Sequence, residues 1–128
     1  MYKAIIIDDE EMARTLLQGM LELYCTNVAV QALCKDLPSG VKAIRKHKPD
    51  IVFLDIEMPG KNGFELLKSF PELSFEVVFV TAYDHYGIQA IKFSALDYLL
   101  KPINIEELKK TVIKLEQSKQ RKSDNSRL

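Results

Sequence analysis

The chain has 128 residues with 18 basic and 18 acidic side chains, so its formal net charge is zero. This length and a hydrophobic fraction of 47% are typical of one globular domain with its own core. Neutrality gives no reason to expect binding to nucleic acid or anionic lipid, and no apolar run approaches the ~20 residues that span a bilayer. The amino terminus also lacks a secretory signal pattern, so we expect a cytoplasmic protein with no membrane contact.

Five short apolar runs predict β-strands: Ala4–Ile7, Val28–Leu33, Ile51–Leu54, Val77–Val80 and Leu96–Leu100. Three of them are continuous rather than alternating, which is typical of parallel strands that are covered on both faces. Segments with helical spacing of apolar residues lie between the runs, at residues 11–24, 38–47, 63–70 and 85–95. The alternation of strands and helices predicts an α/β fold with a parallel sheet.

The last predicted helix begins after Asn104, which is a good N-cap residue. Glu107 follows three residues later, as in a capping box. From Gln117 onwards the sequence is polar, and we interpret residues 117–128 as a tail or linker without a folded element of its own. The predicted domain therefore covers residues 1–116.

Reactive side chains stand at the carboxyl ends of four predicted strands. Asp8 and Asp9 follow the first strand, Asp55 follows the third, Thr81 closes the fourth and Lys101 follows the fifth. Loops at the carboxyl ends of parallel strands share one edge of the sheet, where α/β proteins bind their ligands. We therefore expect these residues to converge on one site.

Three carboxylates at one edge repel each other, since unit charges about 4 Å apart interact by about 4 kcal/mol at an effective dielectric constant of about 20. Either one carboxyl group takes up a proton or a hard cation binds, and oxygen ligands with room for water suit Mg²⁺. Lys101 adds a cation and Thr81 a hydroxyl, which can neutralise and position a phosphoryl group during transfer. Because an aspartate can itself be the nucleophile, the pattern predicts a phosphoryl-accepting site.

Four motifs occur in register over residues 3–115: "IIIDDE" (5–10), "DIVFLDIEMPGKNG" (50–63), "VVFVTA" (77–82) and "DYLLKPI" (97–103). Together they resemble the response-regulator receiver domain of two-component signalling. The wording of residues 80–102 is most similar to receivers of the LytTR class, whose full-length members carry a C-terminal DNA-binding domain. The resemblance implies a flavodoxin-like five-stranded parallel sheet of order 2-1-3-4-5 with five helices on both faces.

The resemblance also implies a role for each residue of the site. Asp55 is the expected phosphoryl acceptor, while Asp8 and Asp9 fit the acidic pair that holds Mg²⁺ with it. The main-chain carbonyl of Glu57 is expected as a further ligand. Thr81 fits the hydroxyl that moves toward the new phosphoryl group.

Further positions match the switching part of the family pattern. Lys101 fits the lysine that pairs with the phosphoryl group, and Lys101–Pro102 matches a peptide bond that is usually cis in the family. Tyr98 fits the aromatic switch position. Glu57 and Tyr83 flank the expected phosphoryl group and are expected to tune its lifetime.

The implied function is that of a phosphoacceptor, which takes a phosphoryl group from the phosphohistidine of a sensor kinase and controls an output, expected to be transcription. The chain is not expected to be an enzyme beyond assisting its own phosphorylation and dephosphorylation. The implied partners are the sensor histidine kinase and, after phosphorylation, a second copy of the chain. DNA would be bound only through a C-terminal domain that this chain does not contain.

Two other functions stay open from the sequence. One is a receiver-like interaction module that is not phosphorylated, and the other is a phosphatase or phosphomutase in which Asp55 is the nucleophile and Glu57 the second acid. A flavin carrier of the same fold is set aside, because the first strand ends in acids where a phosphate-cradling loop is needed. His47 and His85 are interpreted as surface residues rather than phosphohistidines.

Overall fold

The structure is a computed structural model, and it describes residues 1–126. Its centre is a parallel sheet of five strands: β1 (Tyr2–Ile7), β2 (Val28–Cys34), β3 (Ile51–Leu54), β6 (Glu76–Thr81) and β7 (Asp97–Leu100). Two short strands, β4 (Glu57–Met58) and β5 (Lys61–Asn62), pair as a separate antiparallel hairpin. The observed order, β2-β1-β3-β6-β7, is therefore the predicted order 2-1-3-4-5 when the hairpin is left out of the count.

The five predicted helices are present in the described part of the chain: α1 (Glu11–Tyr24), α2 (Leu37–His47), α3 (Phe64–Leu67), α4 (Gly87–Lys92) and α5 (Ile105–Ser126). Helices α3 and α4 are shorter than the apolar spacing suggested. After α3 the chain continues in single turns closed by i to i+3 hydrogen bonds, so the predicted stripe still packs inward without a regular α-helix. Within residues 1–126, no helix is both long and apolar enough to cross a membrane.

Buried side chains lie on both faces of the sheet, which explains the continuous apolar runs. In β1, Ala4 and Ile6 belong to a core cluster that also contains the buried residues of α1 and α5. The alternate residues Ile5 and Ile7 belong to a second cluster with buried residues of α2, α3 and α4. Successive strand residues point to opposite faces, so both faces of β1 must be apolar.

Side-chain N-caps begin two of the helices. The side chain of Asn104 accepts a hydrogen bond from the backbone N–H of Glu107 at 3.1 Å, which confirms the predicted N-cap of α5. Asp36 caps α2 in the same way, by accepting from the backbone N–H of Ser39 at 2.9 Å. Hydrogen bonds from Ser39 lower the pKa of Asp36.

Helix α5 extends to the end of the described residues, so the expectation of an unfolded polar segment from residue 117 is wrong. Polar side chains of this segment bind two acids at the amino-terminal ends of β3 and β6: Ser118 Oγ to Glu76 Oε1 at 2.7 Å, Lys122 Nζ to the same oxygen at 3.1 Å, and Lys119 Nζ to Asp50 Oδ1 at 3.1 Å. The polar composition therefore reflects a docked polar face. The domain boundary at residue 116 stays a prediction.

Candidate functional site

The predicted acidic cluster forms at the carboxyl edge of the sheet. Ile7 pairs with Leu54 in neighbouring parallel strands, so Asp8 and Asp55 follow at the same level. Carboxylate oxygens of Asp8, Asp9 and Asp55 lie within 4.8 Å of one another. Asp8 is 4% exposed and Asp55 5% exposed, whereas Asp9 is open to solvent.

The backbone holds the two buried acids in place. The N–H of Asp55 donates to the carbonyl oxygen of Ile7 at 2.9 Å, and the N–H of Asp8 donates to that of Cys34 at 2.9 Å. Asp8 Oδ1 accepts from the backbone N–H of Glu10 at 2.9 Å, which places this acid just before α1. The acids are therefore positioned by the sheet and by the start of a helix.

A close approach of backbone fixes the loop after Asp55. In the β4–β5 hairpin, Gly60 has φ of +80°, a conformation that β-turns with glycine at the third position require. A Cβ atom placed on Gly63 would overlap the carbonyl oxygen of Asp55. The glycine is therefore needed for the loop to pass directly behind Asp55.

Lys101 neutralises part of the cluster. Its Nζ lies 2.8 Å from Asp8 Oδ2, 3.2 Å from Asp55 Oδ2 and 3.8 Å from Glu10 Oε1. Burial by itself lowers the pKa of Lys101, but the hydrogen bond to Asp8 and the charge of Asp55 outweigh this effect and the pKa is raised. The Lys101–Pro102 peptide bond is cis, as predicted.

Asp55 is the acid most perturbed by its surroundings. Burial raises its pKa to about 6, the charge of Lys101 lowers it in part, and the charges of Asp8 and Asp9 raise it again. A carboxylate that is costly to ionise and lies beside two others is an arrangement that a hard cation relieves. The oxygen donors present therefore fit a divalent cation such as Mg²⁺.

Thr81 and Tyr98 are joined through the backbone of Tyr83. The side chain of Thr81, which is fully buried, accepts from the N–H of Tyr83 at 3.3 Å. The hydroxyl of Tyr98 donates to the carbonyl oxygen of Tyr83. Tyr98 is partly buried and packs against the core cluster of α2, α3 and α4. Both predicted switch residues therefore contact the same short loop.

Tyr86 is a residue of this edge that the sequence analysis missed. Its hydroxyl donates to Glu57, its N–H donates to the Tyr98 hydroxyl at 3.3 Å, and the hydrogen bond to Glu57 raises the pKa of Tyr86 to about 12. Tyr86 lies five residues beyond Thr81, farther from the strand end than the predicted site residues. Its signal in the sequence is only that it is a polar aromatic residue in the loop between β6 and α4.

The remaining reactive side chains lie outside the cluster. His85 is exposed and contacts the ring of Tyr86 at a centroid distance of 4.2 Å, and His47 ends α2. Cys25 and Cys34 are buried free thiols, and burial raises the pKa of both.

A family model, the response regulator receiver domain, matches residues 4–113. The chain is 46% identical to an uncharacterized response regulatory protein of Vibrio cholerae, over 100% of this chain and 54% of that protein. It is 39% identical to the transcriptional regulatory protein BtsR of Escherichia coli, over 93% of this chain and 50% of that protein. The chain therefore spans about half the length of these relatives.

Solved structures of similar fold include the REC domain of AraT, a response regulator from Geobacillus stearothermophilus. The TM-score is 0.84 at 28% identity, with 95% of this chain and 98% of that chain covered. The response regulatory domain of mrkE from Klebsiella pneumoniae matches with a TM-score of 0.81 at 26% identity, covering 91% and 96% of the two chains.

Proposed function

The chain belongs to the response regulator receiver domain family, and from this premise we propose that Asp55 accepts a phosphoryl group from the phosphohistidine of a sensor kinase. The observation that carries the proposal is the placement of Asp55. It is buried, its pKa is raised to about 6, and two further carboxylates and Lys101 surround it. A carboxylate with a raised pKa is a stronger nucleophile than an ordinary one once it is ionised, and the neighbouring Lys101 is placed to offset the charge of an acyl phosphate.

The proposed transfer is a single displacement at phosphorus. A bond forms between an Asp55 carboxylate oxygen and phosphorus, and the bond from phosphorus to the donor's imidazole nitrogen breaks. The donor histidine keeps the electron pair of that bond and takes up a proton. Lys101, which lies 3.2 Å from Asp55 Oδ2, is placed to offset the charge of the phosphoryl oxygens.

Asp8, Asp9 and Asp55 are the residues that would hold Mg²⁺, with the main-chain carbonyl of Glu57 as a further proposed ligand. When bound, the ion would supply charge neutralisation for the phosphoryl oxygens and the carboxylates. Burial, and then the charges of Asp8 and Asp9, raise the pKa of Asp55, and a bound cation is expected to offset both effects.

We propose that the phosphoryl group is sensed through Thr81. If the Thr81 hydroxyl turns to a phosphoryl oxygen, the N–H of Tyr83 loses its acceptor. The carbonyl of Tyr83 is the acceptor for Tyr98, so movement of this one residue changes the hydrogen bond that holds the switch tyrosine. A local electrostatic change thereby shifts the equilibrium of a packed element.

The expected response is self-association through the face built by α4, β7 and α5. These three elements expose apolar side chains: Ile88 and Ile91 are 73% and 77% exposed, and Leu100 and Ile113 are also exposed. This face lies next to Tyr98, which supports its role as the responding surface. Control of transcription, by DNA binding through a C-terminal domain beyond this chain, and a cytoplasmic location remain parts of the proposal.

The proposal is tested by intact-mass measurement after incubation with phosphoramidate and Mg²⁺. The wild-type protein should gain the mass of one phosphoryl group, and Asp55→Asn should not. An adduct that persists in Asp55→Asn would contradict the assignment of the acceptor. Omission of Mg²⁺ should slow the reaction strongly.

The alternative functions predict different results in the mass measurement, in a Mg²⁺ titration and in a phosphate-release assay. An unphosphorylated interaction module would gain no mass and would bind no Mg²⁺ in a titration. A phosphatase using Asp55 would release phosphate steadily from an added phosphomonoester, whereas the proposed acceptor is not an enzyme and releases at most its own phosphoryl group. The ion pair between Asp8 and Lys101 and the burial of Asp55 favour the function of a phosphoryl acceptor.

A further inference from the structure

Tyr86 connects the loop after the acceptor with the loop after Thr81. Its hydroxyl donates to Glu57, which lies two residues beyond Asp55. The strands β3 and β6, which carry these loops, are neighbours in the sheet. The hydrogen bond therefore spans the carboxyl edge directly beside the expected phosphoryl group.

The Glu57 carboxylate contacts Tyr86 and lies outside the cluster of the other acids. Glu57 is close in sequence to Asp55, yet its carboxylate is not part of the group of three acids whose oxygens lie within 4.8 Å of one another among the described residues. Glu57 is exposed, and within residues 1–126 the one side-chain partner that the structure gives it is Tyr86. Without this partner, nothing in the described contacts keeps its carboxylate from turning toward Asp55.

The ring of Tyr86 is held independently of Glu57. It packs edge-on against the ring of Phe64 at a centroid distance of 6.0 Å and lies tilted against the ring of His85 at 4.2 Å. The backbone N–H of Tyr86 donates to the hydroxyl of Tyr98. A fixed ring presents its hydroxyl at a fixed place, so the hydroxyl can orient a flexible side chain. Removal of the hydroxyl alone should therefore release Glu57 and leave the loop in place.

We propose that Tyr86 is a positioning residue whose hydroxyl holds the Glu57 carboxylate away from the phosphoryl group on Asp55 and so lengthens the lifetime of that group. In hydrolysis, water forms a bond to phosphorus and the bond from phosphorus to the Asp55 oxygen breaks. The products are inorganic phosphate, the Asp55 carboxylate and a proton. A released Glu57 carboxylate can accept a hydrogen bond from the attacking water, and take up its proton, which speeds this step.

The test is the rate of phosphoryl loss in Tyr86→Phe, and it depends on the proposed function because Asp55 must first accept the group. The protein is phosphorylated with phosphoramidate and Mg²⁺, the donor is removed, and decay is followed by intact mass. Tyr86→Phe should decay about fivefold faster than wild type. Tyr24→Phe is the matched control, because it removes a hydroxyl from a ring on α1 that contacts Lys109 instead, and its decay should equal that of wild type.

A double-mutant cycle separates the role of Glu57 from a general loosening of the loop. In a Glu57→Ala background, Tyr86→Phe should cause no further change in decay rate. Glu57→Gln, which can still accept from the Tyr86 hydroxyl but is a poor base, should decay no faster than wild type. The melting temperatures of these variants should be close to that of wild type.

Three results would overturn the inference: a wild-type decay rate in Tyr86→Phe, an equal acceleration by this substitution in the Glu57→Ala background, or a Glu57→Gln variant that decays as fast as Tyr86→Phe. Failure of the proposed function is recognised separately. In that case wild-type protein gains no phosphoryl group at all, or Asp55→Asn gains one, before any lifetime is measured.

Discussion

Neutralising Asp55 should stabilise the domain when no metal is bound. Asp55 is buried and its pKa is raised from an ordinary value of 3.8 to about 6, first by burial and then by the charge of Asp8 against the opposing effect of Lys101. The substitution Asp55→Asn keeps the size of the side chain and removes the charge. Lys101 keeps its other partner, Asp8, at 2.8 Å. The variant therefore loses an unfavourable charge without leaving the lysine unpaired.

The size and pH dependence follow from the raised pKa. A rise from 3.8 to about 6 corresponds to about 3 kcal/mol once the carboxyl group is ionised, and relaxation around the charge should leave about 2 kcal/mol. Because the folded-state pKa lies above the unfolded value, the favourable contribution of Asp55 is complete below about pH 4 and is lost as the pH rises through about 6. The advantage of Asp55→Asn should therefore be about a third of its full size at about pH 4.5 and largest above about pH 7.

Urea unfolding in the presence of a metal chelator measures this difference directly. We expect the free energy of unfolding of Asp55→Asn to exceed that of wild type by about 2 kcal/mol at about pH 7.5. Glu72→Gln is the control, since Glu72 is exposed and remote from the acid cluster, and it should change stability by less than about 0.5 kcal/mol. The reasoning is refuted if Asp55→Asn is no more stable than wild type at neutral pH, or if its advantage is the same at both pH values.

Three further substitutions test other parts of the structure. Gly63→Ala should lower the melting temperature and slow phosphorylation, because the new Cβ overlaps the carbonyl oxygen of Asp55. We expect a loss of about 2 kcal/mol in the free energy of unfolding, and an unchanged thermal unfolding curve would contradict the close approach. Thr81→Ala should still accept the phosphoryl group but fail to self-associate, as measured by sedimentation with and without phosphoramidate; normal association would exclude Thr81 as the sensor. Glu76→Ala removes a partner of both Ser118 and Lys122, so amide hydrogen exchange should accelerate in the last turns of α5. The free energy of unfolding should fall by about 1 kcal/mol, and unchanged protection from exchange would show that these contacts do not hold the helix.

Contacts between distant loops could not be read from the sequence. The hydrogen bond from Tyr86 to Glu57 joins residues that are 29 positions apart, and neither residue type signals the other. The polar end of α5 was interpreted as unfolded because its composition lacks apolar residues. Its docking depends on Asp50 and Glu76, which the sheet places beneath that helix. Contacts of this kind depend on the positions of the elements in the folded domain, so they cannot be predicted from composition.

Apolar patterning and residue type were enough to predict the sheet and the reacting groups. Continuous apolar runs predict strands buried on both faces of a parallel sheet. The residues that follow such strands meet at one edge of the sheet, so the sequence predicts that Asp8, Asp55 and Lys101 lie together. How far the pKa of Asp55 is raised, and which side chains surround this residue, depends on how the elements pack together. The physical reason is that periodicity reports the direction of a side chain within its own element, whereas desolvation and hydrogen bonding depend on distances between elements that are fixed only when the core packs.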